Sequence, residues 1–296
     1  MYVAHRIRLD PNNVQVTYLA RAAGTARFAY NWALAEWQRQ YEACKLDPAL
    51  AKPNEAALRR QLNAIKGEMF PWMLEVTKNA PQMAIQQLGY AFKNFFEGRA
   101  RYPTFRRKGC DDRFTLTNDQ FRVEDKRIRI PKLGWLRMCE SLRFEGRIVS
   151  ASIARSANRW FACIVVDPNT SFLPPTENQG AVGVDLGVTT LATLSTGETF
   201  IGPKASRSLQ SRAKRLARSL SRKVKGSHNY AKAKSKLARL LARIADIRRD
   251  GLHKLTTFIT RRFHTIGIED LTVKGMLGNH CLARSIADMA FGELRR

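Results

Sequence analysis

Two carboxylates stand in apolar runs, where a charge has to be accounted for. Asp185 lies in "AVGVDLGVTT" among Val182, Val184, Leu186 and Val188, and Glu269 lies in "HTIGIEDL", followed by Asp270. Both runs have the length and composition of short strands. An unpaired carboxylate in an apolar setting attracts a cation or takes up a proton, so each acid asks for a partner. In a strand, helix, strand order, a right-handed crossover sets the second strand parallel to and beside the first, and Asp185 and Glu269 could then face each other. Facing carboxylates repel unless a divalent cation sits between them. Mg²⁺ held in that way can orient a water and a phosphodiester for in-line hydrolysis. The plainer alternative makes Asp185 a turn or capping acid and Glu269 a surface one.

Charge points to the substrate class. The 296 residues carry 51 Lys and Arg against 25 Asp and Glu, a formal net charge of +26. Such an excess repels itself in a compact state unless a polyanion is bound, and nucleic acid is the commonest one. The excess is concentrated between Lys204 and Arg262, 59 residues with 19 Lys and Arg and only two acids, Asp246 and Asp250. Arg239 and Arg243, on the expected basic face of a helix there, are candidate contacts to a duplex; a solvated face would have the same composition. A second patch, "FFEGRARYPTFRRKG", interleaves Phe95, Phe96, Tyr102 and Phe105 with Arg99, Arg101, Arg106, Arg107 and Lys108. Cations contact phosphates, and exposed aromatics stack on unpaired bases. Arg99, Arg101, Tyr102, Arg106, Arg107 and Lys108 are therefore candidate contacts, while Phe95 and Phe96 are expected to end a core-packed helix.

Other classes find little support. The longest apolar run, "WFACIVV", has seven residues, whereas a spanning helix needs about 20. The start, "MYVAHRIRLD", lacks the apolar core of a signal peptide. None of the five cysteines forms a C-x-x-C pair, so neither a zinc knuckle nor a disulfide framework is suggested. No membrane partner is expected, and the location expected is cytoplasmic.

The elements that must position these residues follow from periodicity. Val3, His5, Ile7 and Leu9 alternate with Arg6 and Arg8 as on a strand. Leu19, Ala22, Ala23, Ala26, Tyr30, Ala33, Leu34, Trp37 and Tyr41 then recur at three and four, the stripe of an amphipathic helix. Two further helices are expected over about 54–69 and from Pro81 to Phe96, so 11–110 is mostly helical. From Arg113 the pattern turns to antiparallel strands, with a hairpin around Ser156 to Asn158. The opening strand can join the same sheet, which makes the helical block an insertion into a small β-barrel formed by 1–10 and 111–170. Residues 171–180 have linker composition, and 181–296 form a second, α/β domain. There "KGSH" at Lys225–His228 separates a shorter helix from a long one carrying Leu237, Leu240, Leu241, Ile244, Leu252, Leu255, Phe258 and Ile259.

The sequence also resembles a known family. "GVDLGVTTLATLSTG" is similar to the first motif of a RuvC-type, RNase H-like nuclease, and "IGIEDLTVKGM" with "LARSIADMAFGEL" is similar to the second motif as it occurs in TnpB/OrfB transposon-associated proteins. "GTARFAYNWAL" and "FKNFFEGRARYPTFRRKG" resemble that family's amino-terminal helical region. The resemblance spans essentially the whole chain. It implies an α+β multidomain protein: a wedge-like barrel, an inserted recognition region, then a RuvC domain that cuts target DNA under the guidance of an RNA from the transposon end. It makes Asp185 and Glu269 the first two catalytic acids and ligands of a two-ion Mg²⁺ site, in a prokaryotic cytosol or nucleoid.

The family pattern continues into a C-x-x-C zinc ribbon and a third acidic motif, whereas this chain stops 27 residues after Glu269. Asp270 should point away from Glu269 if the strand runs through it, and Asp288 in "SIADMAF" reads as a helix-surface or packing residue. The expectation is an RNA-guided endonuclease impaired by an incomplete RuvC domain. The alternative is a non-catalytic nucleic-acid-binding regulator of transposition or transcription. An actin-like ATPase, suggested by "GVDLGVTT" alone, fits the basic charge poorly.

Overall fold

Strand β1 (Val3–Arg8) pairs antiparallel with β7 (Arg159–Asp167), which pairs with β6 (Arg147–Ser156), which pairs with β2 (Arg113–Thr117). The opening strand and the strands after residue 110 therefore share one four-stranded sheet, as the alternation anticipated. A three-stranded meander of β3 (Arg122–Glu124), β4 (Arg127–Ile130) and β5 (Gly134–Arg137) adjoins it through one bridge, Leu9 to Met138. The β6–β7 hairpin turns on Ala157 and Asn158, at φ +48° and +63°. Two successive left-handed residues match the right-handed twist of the flanking strands. The computed structural model describes residues 2–168 and 179–294, divided between two compact units, Met1–Ser171 and Phe172–Arg296. Most of the expected linker, 171–178, lies outside the described residues.

Between β1 and β2 run α1 (Asn13–Leu46), α2 (Glu55–Met69), a 3-10 turn (Pro71–Glu75) and α3 (Asn79–Phe96). α1 opens with a capping box: Asn12 Oδ1 accepts the Gln15 N–H at 2.9 Å and Gln15 Oε1 accepts the Asn12 N–H at 3.0 Å, which satisfies donors a helix start leaves free. Its small face, Ala22, Ala23, Ala26, Ala29 and Ala33, is buried in one core with Ile85, Leu88 and Phe92 of α3 and with Phe114, Leu116, Ile153 and Ile164 of the sheet. Small residues there let the helix approach the sheet closely. Tyr18 fastens α1 at two points, its hydroxyl donating to Pro131 O at 2.7 Å and accepting the Thr77 N–H at 3.0 Å. Burial pushes that phenol up to about 12, so it stays a donor at neutral pH.

The second unit is built on β8 (Ala181–Asp185), β9 (Ala192–Leu194) and β10 (Thr199–Phe200), an antiparallel meander, followed by α4 (Ala205–Ser221), α5 (His228–Arg262) and β11 (Thr265–Ile268). The sheet order is β10-β9-β8-β11, and β11 lies parallel to β8. Short helices α6 (Val273–Met276), α7 (Ala283–Met289) and α8 (Phe291–Leu294) complete the unit. Its core joins Val182, Val184 and Leu186 to Leu252, Leu255 and Ile259 of α5 and to Ile286, Met289 and Phe291. Ser227 caps α5, its hydroxyl accepting the Tyr230 N–H at 3.1 Å, so the long helix begins at the break that "KGSH" marks.

Candidate functional site

The parallel ladder sets the two acids. Ala181 pairs with Thr265, Val182 with Ile266, Gly183 with Gly267 and Val184 with Ile268. Asp185 is the last residue of β8 and Glu269 the first residue after β11, each one step past the last pair. Side chains at the same step of a parallel pair leave the sheet on the same face. β8 alternates strictly: Val182 and Val184 are buried at 2% and 4% exposure, while Ala181, Gly183 and Asp185 are exposed. Asp185 is thus not enclosed by its apolar neighbours, as its sequence context had suggested; the pleat turns them inward and the carboxylate outward. Glu269 is likewise exposed. Among the described residues neither acid has an ion-pair partner, and no group of three or more His, Cys, Asp and Glu side chains could hold a metal. The pair offers two hard oxygen donors suited to Mg²⁺, with any further ligands to come from water or another group.

The basic loop after α3 is held on α1. Asn31 Nδ2 donates to Arg106 O at 2.9 Å and its Oδ1 accepts the Arg106 N–H at 2.7 Å. Arg27 pairs with Asp112 at 2.8 Å in a part-buried setting, and the same carboxylate oxygen accepts the Gly109 N–H. Within this frame the predicted contacts divide. Arg106 turns inward, its guanidinium 3.7 Å from the Tyr30 ring centre and donating to Gln87 Oε1 at 3.0 Å. Burial pulls it below the ordinary guanidinium value. Arg101, Arg107 and Lys108 are exposed. Arg99, also exposed, is ion-paired with Glu97. Tyr102 is 43% exposed and meets Phe92 and Phe95 edge-on at 5.5 and 5.2 Å. Phe95 is half-buried, but Phe96 is 69% exposed, so only the first of the two belongs to the core.

On α5, Arg239 and Arg243 are exposed, and Arg239 also donates to Ser235 Oγ at 3.0 Å. Sequence reasoning missed Arg27, Asn31 and Asp112 as the frame of the loop. Their partners lie 75 and 85 residues away, so no local pattern marks them. Asp288 is 3% exposed and accepts N–H donors on both oxygens, which makes it a packing residue, as its context suggested.

Comparison with known proteins identifies the family. A family described as "Probable transposase", OrfB of the IS605 type, matches residues 161–280, and the associated "Helix-turn-helix domain" matches residues 1–45. In this chain the described residues of that range fold as strand β1 followed by the single continuous helix α1. The chain is 34% identical to "Putative RNA-guided DNA endonuclease InsQ" of Escherichia coli (strain K12), over 99% of this chain and 76% of that protein. It is 35% identical to a "Putative RNA-guided DNA endonuclease" of Streptomyces pristinaespiralis, over 99% of this chain and 72% of that protein. A chain of a CRISPR-Cas12f ternary complex aligns over 94% of this chain and 69% of its own length, at 12% identity and a TM-score of 0.35, too low to carry an argument about fold. With relatives above 30% identity along nearly its whole length and both OrfB descriptions matched, the chain belongs to the TnpB/OrfB family of transposon-associated proteins.

Proposed function

We propose that this protein is a transposon-encoded, RNA-guided DNA-binding protein whose second unit is a RuvC-like nuclease domain, with Asp185 and Glu269 as its acid pair. What supports the reading is that β8 and β11 run parallel and paired, and that Asp185 and Glu269, both exposed, follow directly on the last pair, Val184 with Ile268. The first unit is the wedge-like barrel with an inserted helical recognition region. Guide RNA from the transposon end and target DNA are the partners, in a prokaryotic cytosol.

In this reading Asp185 and Glu269 would hold Mg²⁺, which would supply an activated water and charge neutralisation at a phosphodiester. The chain's own residues bind and orient. Exposed Arg101, Arg107, Lys108, Arg239 and Arg243 neutralise phosphates, and Tyr102 and Phe96 offer faces on which unpaired bases stack. Asp185 ends β8 and Glu269 directly follows β11, so both acids stand at the same end of two hydrogen-bonded strands.

A second reading is a non-catalytic regulator that keeps guide and target binding. Two ions about 3.5 to 4 Å apart need more ligands than two acids supply, and the cleavage assay reads whether other groups provide them. The deciding assay uses purified protein, the RNA of its transposon end, Mg²⁺ and a matched DNA target. Binding that needs the RNA supports the guided reading, and RNA-independent duplex binding of equal strength sinks it. Robust cleavage that Asp185→Ala abolishes would mean that a further residue completes the site.

A further inference from the structure

Helix α4 lacks a cap of its own. Lys204, at the cap position, is left-handed at φ +42° and provides no side-chain hydrogen bond. The missing acceptor comes from another helix: Asp288 of α7 accepts the N–H of Ser206 on Oδ1 at 2.8 Å and that of Arg207 on Oδ2 at 3.1 Å. These are first-turn amides, which a helix cannot satisfy internally. Arg248 of α5 completes the joint, its Nε donating to Asp288 Oδ1 at 3.1 Å and its Nη2 to Ser206 Oγ. One buried carboxylate thus ties together the start of α4, the middle of α5 and the segment after β11.

The position of this joint gives it a consequence. The end of α5 adjoins the start of β8, since Arg262 O accepts the Gln179 N–H at 2.8 Å and Gly180 O accepts the His264 N–H at 3.0 Å. From there α5 returns over the sheet through Ile259, Leu255 and Leu252. Fourteen helical residues back to Arg248 cover about 21 Å, whereas Ala181 to Asp185 covers about 13 Å. The joint therefore stands at or beyond the carboxyl end of the strands, the end that carries Asp185 and Glu269. The hairpin it seats is strongly one-signed: from Lys204 to Ala245 there are 14 Lys and Arg and no Asp or Glu.

We infer that Asp288 is a positioning residue for nucleic-acid binding: it fixes the start of α4 against α5 and α7, and so sets where the cations of the α4–α5 hairpin hold phosphates. The inference rests on the proposed nucleic-acid binding. Asp288 itself is not placed to touch substrate, because its side chain is buried. Weakening it leaves first-turn amides of α4 short of an acceptor and Arg248 without its counter-charge, which loosens the hairpin without altering the hairpin's own cations.

The test uses the full chain with Asp288→Asn and, in case that variant folds poorly, Arg248→Lys, which keeps the charge but loses the forked geometry. Hydrogen exchange reads the joint, and the salt dependence of affinity for a single-stranded RNA and for a DNA duplex reads the phosphate contacts. In each variant, amides of Ser206 and Arg207 should exchange at least about tenfold faster. The log–log salt slope should become shallower by about 0.9 for each duplex phosphate that the hairpin no longer neutralises. Simple loss of folded protein would lower the amount that binds and leave the slope unchanged. Unchanged exchange, or faster exchange with an unchanged slope in both variants, overturns the inference. A wild-type protein whose affinity ignores salt overturns nucleic-acid binding itself, and the exchange data still report on the joint.

Discussion

The Arg106 guanidinium lies over the Tyr30 ring at 3.7 Å, held there by main-chain bonds to Asn31 and a bond to Gln87. Its neighbour Arg107 is exposed. Arg106→Ala removes a stacked, part-buried interaction and should cost about 1–3 kcal/mol of stability. Arg107→Ala should leave the denaturation midpoint unchanged and weaken nucleic-acid binding. Urea unfolding and a filter-binding titration on both variants check the division; equal stability losses would contradict it.

Asp185→Asn and Glu269→Gln should each abolish measurable Mg²⁺ binding at millimolar ion, and the double variant should be no worse than either single one. A shared ion loses most of its affinity with the first ligand. Calorimetric titration of Mg²⁺, with Mn²⁺ as a spectroscopic stand-in, reads this directly. Metal binding that survives both substitutions would place the ion elsewhere.

The charge excess predicts steep salt dependence. Each phosphate neutralised on duplex DNA contributes a slope of about −0.9 in a log–log plot. Exchanging Arg239 and Arg243 for Gln together should make that slope shallower by up to about 1.8. A slope unaffected by the exchange would assign both residues to a solvated helix face.

Gly146, at φ +138°, precedes β6 where the chain passes the end of β7. An added Cβ would overlap the Asp167 carbonyl and come within 2.8 Å of Pro168 Cα. Both are backbone and cannot swing aside, so Gly146→Ala should destabilise the first unit by about 1–3 kcal/mol. Thermal unfolding would show it; a melting temperature within a degree of wild type would contradict the strain.

Burial pushes the Asp288 carboxyl upward, but hydrogen bonds from Ser206 and Arg207 and the charge of Arg248 outweigh it, and the group sits below the ordinary carboxylate value. A depressed folded value means that its stabilisation is present above the unfolded value, about 3.9, and lost as pH falls through the folded one. The groups facing it are those same two amides, the Ser206 hydroxyl and Arg248. The stability gap between wild type and Asp288→Asn should therefore be full at pH 6 and shrink below about pH 4. A gap that widens in acid would reverse the sign.

Much of this protein is legible in local pattern. Alternation in the first ten residues and after Arg113, the alanine stripe of α1, the glycine and serine break before α5 and the uneven distribution of charge all act over a few residues, where periodicity is visible. The two acids could also be placed on neighbouring strands, because chain order and crossover geometry restrict where β11 can go.

What tertiary structure decided is which way each polar side chain faces and what it meets. The sequence around Asp185 reads the same whether the acid is enclosed or open; only α5 covering the Val182 and Val184 face leaves the carboxylate on the other side. "RRK" reads as three equivalent cations, yet Tyr30 and Gln87 take one of them inward. Asp288 and the amides it caps are 81 and 82 residues apart. Such pairings depend on where distant elements come to rest, and no short window of sequence contains that information. Composition and periodicity determined the elements, the charge and the candidate acids, while the surroundings of Asp185, Arg106 and Asp288 were decided by packing, because a buried or exposed setting is a property of the assembled core.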